Sequence, residues 1–98
     1  MEKTQEAGAV RHNEAEQRFE IAVGTSLAVA EYTRNTDGIV MTHTFVPPDL
    51  RGRGLAERLV RAALEHARAQ NWRVVPACSY VAGFIERHPA YQDLRAGR

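Results

Sequence analysis

The sequence predicts an α+β fold, a mixed sheet in the order β-β-β-α-β-α whose first three strands form an antiparallel meander, whose fourth pairs in parallel, and whose helices pack on the sheet. Three observations predict it. Apolar residues recur with period two from about residue 18 to residue 46, the period lengthens to about 3.6 beyond Gly54, and a short run of strand formers follows at residues 72–77.

Residues 1–9 are small and polar and are expected to form a flexible N-terminus, leaving one domain over residues 10–98. Phe19, Ile21 and Val23 then alternate with Arg18 and Glu20, which predicts a half-buried strand ended by Gly24-Thr25-Ser26. Residues 27–34 are again rich in strand formers, Asn35-Thr36-Asp37-Gly38 has hairpin-turn chemistry, and β-branched residues resume at Ile39. Pro47-Pro48 removes two backbone donors and ends that third strand. Leu55, Leu59, Ala62, Ala63 and Ala67, with Val60 and Leu64 beside them, line one side of a helix reaching Gln70, and Arg58, Arg61, Glu65 and Arg68 take the other. Residues 72–77 are too few for a helix and return beside the third strand by a helical crossover. Ser79 is the expected N-cap of a last helix carrying Val81, Phe84, Ile85 and His88 on one face, and Pro89 stops it.

Composition bounds the function. The chain has 98 residues, 44% hydrophobic and 26% charged, which suits one small globular domain and is too apolar for a disordered tail. A formal charge of +1 gives no global reason to expect nucleic acid or an anionic membrane as partner. The acidic first twenty residues are unlike a signal peptide, and no apolar run approaches the ~20 residues of a membrane helix. The single cysteine, Cys78, excludes an intramolecular disulfide and fits a reducing cytoplasm. His12, His66 and His88 lack an i, i+4 partner suited to a metal, so no metal is expected. A monomer or weak dimer is the expected state.

The informative segment is Val46-Pro-Pro-Asp-Leu-Arg51-Gly52-Arg53-Gly54-Leu55-Ala56, between a strand end and a helix start. Its glycines let backbone approach a ligand, and the free N–H groups of a first helical turn favour an anion such as a pyrophosphate. The plainer reading is a tight connection that needs positive φ. Arg51 and Arg53 add charge, and residues 51–73 hold six arginines against Glu57 and Glu65, a local excess of +4. Arg53, Arg58 and Arg61 read first as a solvated helix face, and a nucleic-acid surface there would lack interleaved aromatics. A Walker A loop is excluded because Leu55-Ala56 follows Gly54 where Lys-Ser/Thr is required. A dinucleotide fingerprint is disfavoured by Glu57 at its third small position and by Pro76-Ala77 where an acidic residue belongs.

Arg51-Gly-Arg-Gly54-Leu-Ala56 fits the pattern Arg/Gln-x-x-Gly-x-Gly/Ala, and here the sequence resembles the Gcn5-related N-acetyltransferase (GNAT) superfamily. Val74-Val-Pro-Ala-Cys78-Ser-Tyr-Val and Ile85-Glu-Arg-His-Pro-Ala-Tyr91 extend the likeness, over about residues 11–94, to its small single-domain acetyltransferase-like group. The resemblance implies acetyl-CoA as cofactor. It also implies a sheet splayed between the last two strands, pantetheine in the gap, and pyrophosphate on the amides of residues 52–56. A backbone N–H near Phe45 or Val46 would polarise the acyl carbonyl.

Two side chains are the catalytic candidates. Cys78 stands just before a helix N-terminus, where the dipole favours thiolate, and its plainer reading is a small buried hydrophobe. The resemblance places it near the thioester as a transient acyl acceptor. His43, expected by alternation to face the same side as Ile39, Met41 and Phe45, is a candidate base for Cys78 or for an incoming amine, or else a core histidine. Phe45 stands where many members of the group carry glutamate, and Glu86 where larger relatives carry a tyrosine acid, with Tyr80 and Tyr91 nearby. The function expected is acetyl transfer to an unidentified amine, small molecule or protein. The alternative is a non-catalytic coenzyme A binding, sensor or accessory module, because only Gly24-Thr25-Ser26 stands where larger relatives insert helices that wall the acceptor pocket.

Overall fold

The computed structural model describes residues 7–97. Five strands lie in chain order across one sheet: β1 Arg11–Asn13, β2 Arg18–Val23, β3 Ser26–Arg34, β4 Gly38–Phe45 and β5 Arg73–Pro76. Neighbours from β1 to β4 are antiparallel, and β5 joins β4 in parallel after the crossover helix α1, Leu55–Gln70. Helix α2, Ser79–Arg87, follows, and short 3-10 turns occupy Pro48–Leu50 and Pro89–Leu94. The mixed α+β architecture is the one expected. The strand β1 is additional. Its three polar residues carry no periodicity, and its place is fixed by pairing with β2, Arg11 opposite Glu20 and Asn13 opposite Arg18. Of the N-terminal segment read as flexible, residues 1–6 lie outside the described residues, and at Gly8 the N–H donates to the Ala22 carbonyl at 3.0 Å.

One sheet face carries the core. Phe19, Ile21, Ala28, Ala30, Ile39, Met41 and Val74 are packed with Leu59, Ala63 and Leu64 of α1 and Val81, Phe84 and Ile85 of α2 in a single buried cluster. Each large side chain sealed there contributes roughly 1.5–3 kcal/mol relative to exposure. Helix α1 is flanked by the caps Gly54 and Asn71, both left-handed, and the Asn71 N–H closes the last turn on the Ala67 and Arg68 carbonyls. Among the described residues the other face holds one buried ion, Glu20, 4% exposed. Arg18 Nε donates to it at 2.7 Å, Asn13 at 2.8 Å and Arg11 at 2.9 Å, which is the satisfaction a buried carboxylate requires. The Arg18 bond first, against the opposing effect of burial, and then Asn13 and Arg11 hold its carboxyl below the usual range.

Two local details depart from the sequence-based expectation. Glu31 pairs with His43 but its neighbour Tyr32 pairs with Met41, so Thr42 is an extra residue on β4, a bulge. Alternation is thereby reset. His43 goes to the face of Glu31 and is exposed, and Thr44, opposite the buried Ala30, takes the face of Met41. The N-cap of α2 is Cys78 in extended geometry, and Ser79 is already helical. No helix among the described residues is long and apolar enough to cross a membrane.

Candidate functional site: a glycine loop beside a parted strand pair

The pairing of β4 with β5 runs from Gly38–Arg73 to Met41–Pro76 and then stops. Pro76 has no N–H, so the ladder cannot continue through it. The Cys78 N–H reaches back to the Met41 carbonyl at 3.0 Å, while β4 runs on to Phe45. The last residues of β4 therefore lack a β5 partner, and Cys78 sits at the point where the strands part.

Beyond the end of β4 the chain turns through Pro48–Leu50 and enters the loop. Gly52 has φ +85° and Gly54 φ +76°, the left-handed region that disfavours any side chain, and a Cβ at either would meet nothing within 4 Å. Positive φ satisfies the plainer reading of a tight connection. The empty space above both glycines is what a ligand cradle adds to it. Leu50 and Leu55 anchor the loop in the core, and Arg51 Nε ties it to the Val46 carbonyl at 2.9 Å. Gly54 provides no side-chain cap, so the first-turn amides of α1 are left for another acceptor.

A groove of about 310 Å³ lies over this loop, lined by Val46, by Leu50, Arg51, Gly52 and Gly54, by Leu55, Ala56 and Glu57 of the first helical turn, and by Tyr80 of α2. Six of the residues expected to hold cofactor, Val46, Arg51, Gly52, Gly54, Leu55 and Ala56, thus line one concavity. Arg53 lines a neighbouring depression with Arg58 and Arg61 instead, and Phe45, 41% exposed, is not a lining residue of the groove. Tyr80, Leu50 and Glu57 were not singled out as ligand contacts from the sequence. The spacing of Leu50 and Glu57 around the glycines was a usable signal, whereas Tyr80 comes from a distant segment. Burial first, and then Glu57, against the opposing Arg87, push the Tyr80 hydroxyl above its ordinary value, so it keeps its proton.

Cys78 Sγ donates to Thr44 Oγ1 at 3.6 Å. Burial works to raise the thiol pKa, but the Val81 amide, the Thr44 hydroxyl and the Tyr80 amide outweigh it, and the thiol falls below its ordinary value. The neutral thiol makes no capping bond to α2, so these amides act chiefly on the thiolate. His43 is not brought to Cys78. It is on the opposite face, its ring stacked beside Phe45 at 6.3 Å. The arginine excess is partly neutralised, Arg61 by Glu57 at 2.8 Å and Arg68 by Asp93 at 3.0 Å.

A mixed sheet parting at one parallel pair, with a glycine loop opening the crossover helix beside the gap, is the architecture of an acetyltransferase-type domain. The chain belongs to the GCN5-related N-acetyltransferase family, whose model matches residues 18–94. It is similar to Protein NATD1 of Bos taurus, 37% identical over 54 residues that make up 55% of this chain and 48% of that protein. Protein NATD1 of Homo sapiens is 33% identical over 54 residues, 55% of this chain and 48% of the relative. The chain spans about half the length of the curated relatives it matches. Among solved structures it resembles a GCN5-like protein from Staphylococcus aureus determined by NMR, with TM-score 0.72 and 29% identity, covering 91% of this chain and 88% of that one.

Proposed function

We propose that the protein binds acetyl-CoA over the glycine loop and in the gap between β4 and β5, and passes the acetyl group to an amine by way of Cys78. The observation that carries this reading is the placement, at one end of the sheet, of an open glycine groove and of a thiol at the fork of the parted strands. The amides of residues 52–56 suit a diphosphate, and Arg51 adds positive charge beside them. Bound acetyl-CoA supplies an acetyl group activated as a thioester. Backbone N–H near Phe45 or Val46 polarises the acyl carbonyl. Thr44 and the first-turn amides of α2 favour the nucleophilic thiolate of Cys78, and Tyr80, which keeps its proton, donates it to the leaving coenzyme thiolate. As the amine displaces the Cys78 thiolate its proton restores the Tyr80 phenol, and His43, exposed on the opposite face of the sheet, takes no part in that step. A lone free cysteine in this role suits the cytoplasm.

A second reading is favoured by one observation. Strands β2 and β3 are joined by a two-residue turn, Gly24-Thr25, and no helix rises between them to wall an acceptor pocket. A non-catalytic coenzyme A module has no need of that wall. Incubation with acetyl-CoA and a panel of amines and peptides, followed by mass spectrometry and assay of released thiol, separates the readings. An acetyl adduct on Cys78 with thiol release supports transfer; bound coenzyme with neither selects the module; no bound coenzyme defeats both.

A further inference from the structure

At the far end of α1, about 16 Å along its axis from the glycine loop, a second group of side chains converges. His12 comes from β1, Glu14 from the turn that follows it and His66 from α1, and one ligand atom from each lies within 4.8 Å of the others. We propose that His12, Glu14 and His66 form a binding site for a divalent transition metal of the zinc type, independent of the coenzyme site. Two imidazoles and one carboxylate are a zinc donor set that leaves a fourth position for water.

The surroundings of the three side chains favour this over simple aromatic packing. The His12 ring lies flat on Phe19, centroids 4.1 Å apart and 3° from parallel, and one ring nitrogen, Nε2, is bonded to the Tyr32 hydroxyl at 2.6 Å. Stacking and that bond fix the orientation of the ring and leave its other nitrogen to coordinate, the part outer partners play for metal-bound histidines. His66 meets His12 edge-on at 4.6 Å and is half-buried, yet neither of its nitrogens is hydrogen-bonded among the described residues. Glu14 is exposed, so one side of the cluster is open for entry.

The site carries its own reporter. Trp72 is the sole tryptophan, and its ring is 5.1 Å from His66. Titration of Ni²⁺ against Trp72 fluorescence, in a Cys78→Ala background that removes the thiol as a competing ligand, is expected to quench saturably at one equivalent. Closed-shell Zn²⁺ added first is expected to prevent the quenching. His66→Ala and Glu14→Gln, the latter in an exposed turn where folding is not at stake, are each expected to raise the Ni²⁺ midpoint by at least ~10-fold. An unchanged midpoint in either variant, or quenching that Zn²⁺ does not prevent, overturns the site.

Discussion

The thiol of Cys78 donates to Thr44 Oγ1 at 3.6 Å, and this pair exists because a bulge at Thr42 resets β4. Without the extra residue, His43 would face α2 and Thr44 would face solvent. The bulge therefore selects which side chain accompanies the thiol, and it selects a hydroxyl.

Alkylation of Cys78 by iodoacetamide is expected to reach half its maximal rate at a pH below the ordinary thiol value of 9.0, since the Val81, Thr44 and Tyr80 donors outweigh burial. Thr44→Val removes one donor and moves the midpoint upward. His43→Gln leaves it in place, because His43 lies on the other face. A midpoint that follows His43 and ignores Thr44 contradicts this arrangement.

Gly54→Ala places a side chain at φ +76° with no atom to collide with, so its cost is backbone strain alone, about 1–2 kcal/mol of stability by chemical denaturation. Gly52→Ala behaves alike at φ +85°. Because the added methyl occupies the groove, each variant is expected to lose coenzyme A affinity by more than its stability loss explains. Affinity unaffected in both variants would show that the groove is not the coenzyme site.

Gly38 is different in kind. A Cβ there would fall on the Arg73 carbonyl and lie 2.6 Å from Arg73 N, where β4 and β5 begin to pair. Gly38→Ala is expected to cost about 3 kcal/mol or to prevent folding, since two backbones must separate to admit it. Urea denaturation of Gly38→Ala beside Gly54→Ala tests the ranking.

Acid stability reports on Glu20. Its folded pKa lies below the ordinary value of 4.5, so its contribution is complete above about that pH and is lost as pH falls through the lower folded value. Glu20→Gln is expected to cost roughly 1–3 kcal/mol at pH 7 and to flatten the decline below pH 4.5. Melting temperatures of both proteins from pH 7 to pH 3 measure it. A wild-type curve parallel to that of the variant would remove Glu20 from the acid response.

Much of this architecture was legible in the residues because each element carried its own period or its own breaker. Pro47-Pro48 ends β4, Gly54 begins α1, and Phe19, Ile21 and Val23 declare the buried face of β2. Strand β1 was not legible, since Arg11-His12-Asn13 is too short and polar to show a period and is held by tertiary pairing. Alternation misplaced His43 because a bulge leaves no mark in a run such as Met41-Thr-His-Thr-Phe45. The glycine loop was readable as a contiguous motif. Tyr80 in the groove, Thr44 at the thiol, and the approach of His12 and Glu14 to His66 depend on contacts between distant segments, which spacing along the chain does not encode.

The most direct measurement is isothermal titration calorimetry of the wild-type chain with coenzyme A. Saturable heat at one ligand per chain, much reduced in Gly54→Ala, is the predicted result. Absence of heat in the wild type, or an isotherm that Gly54→Ala leaves unchanged, would contradict a coenzyme held on the amides of residues 52–56.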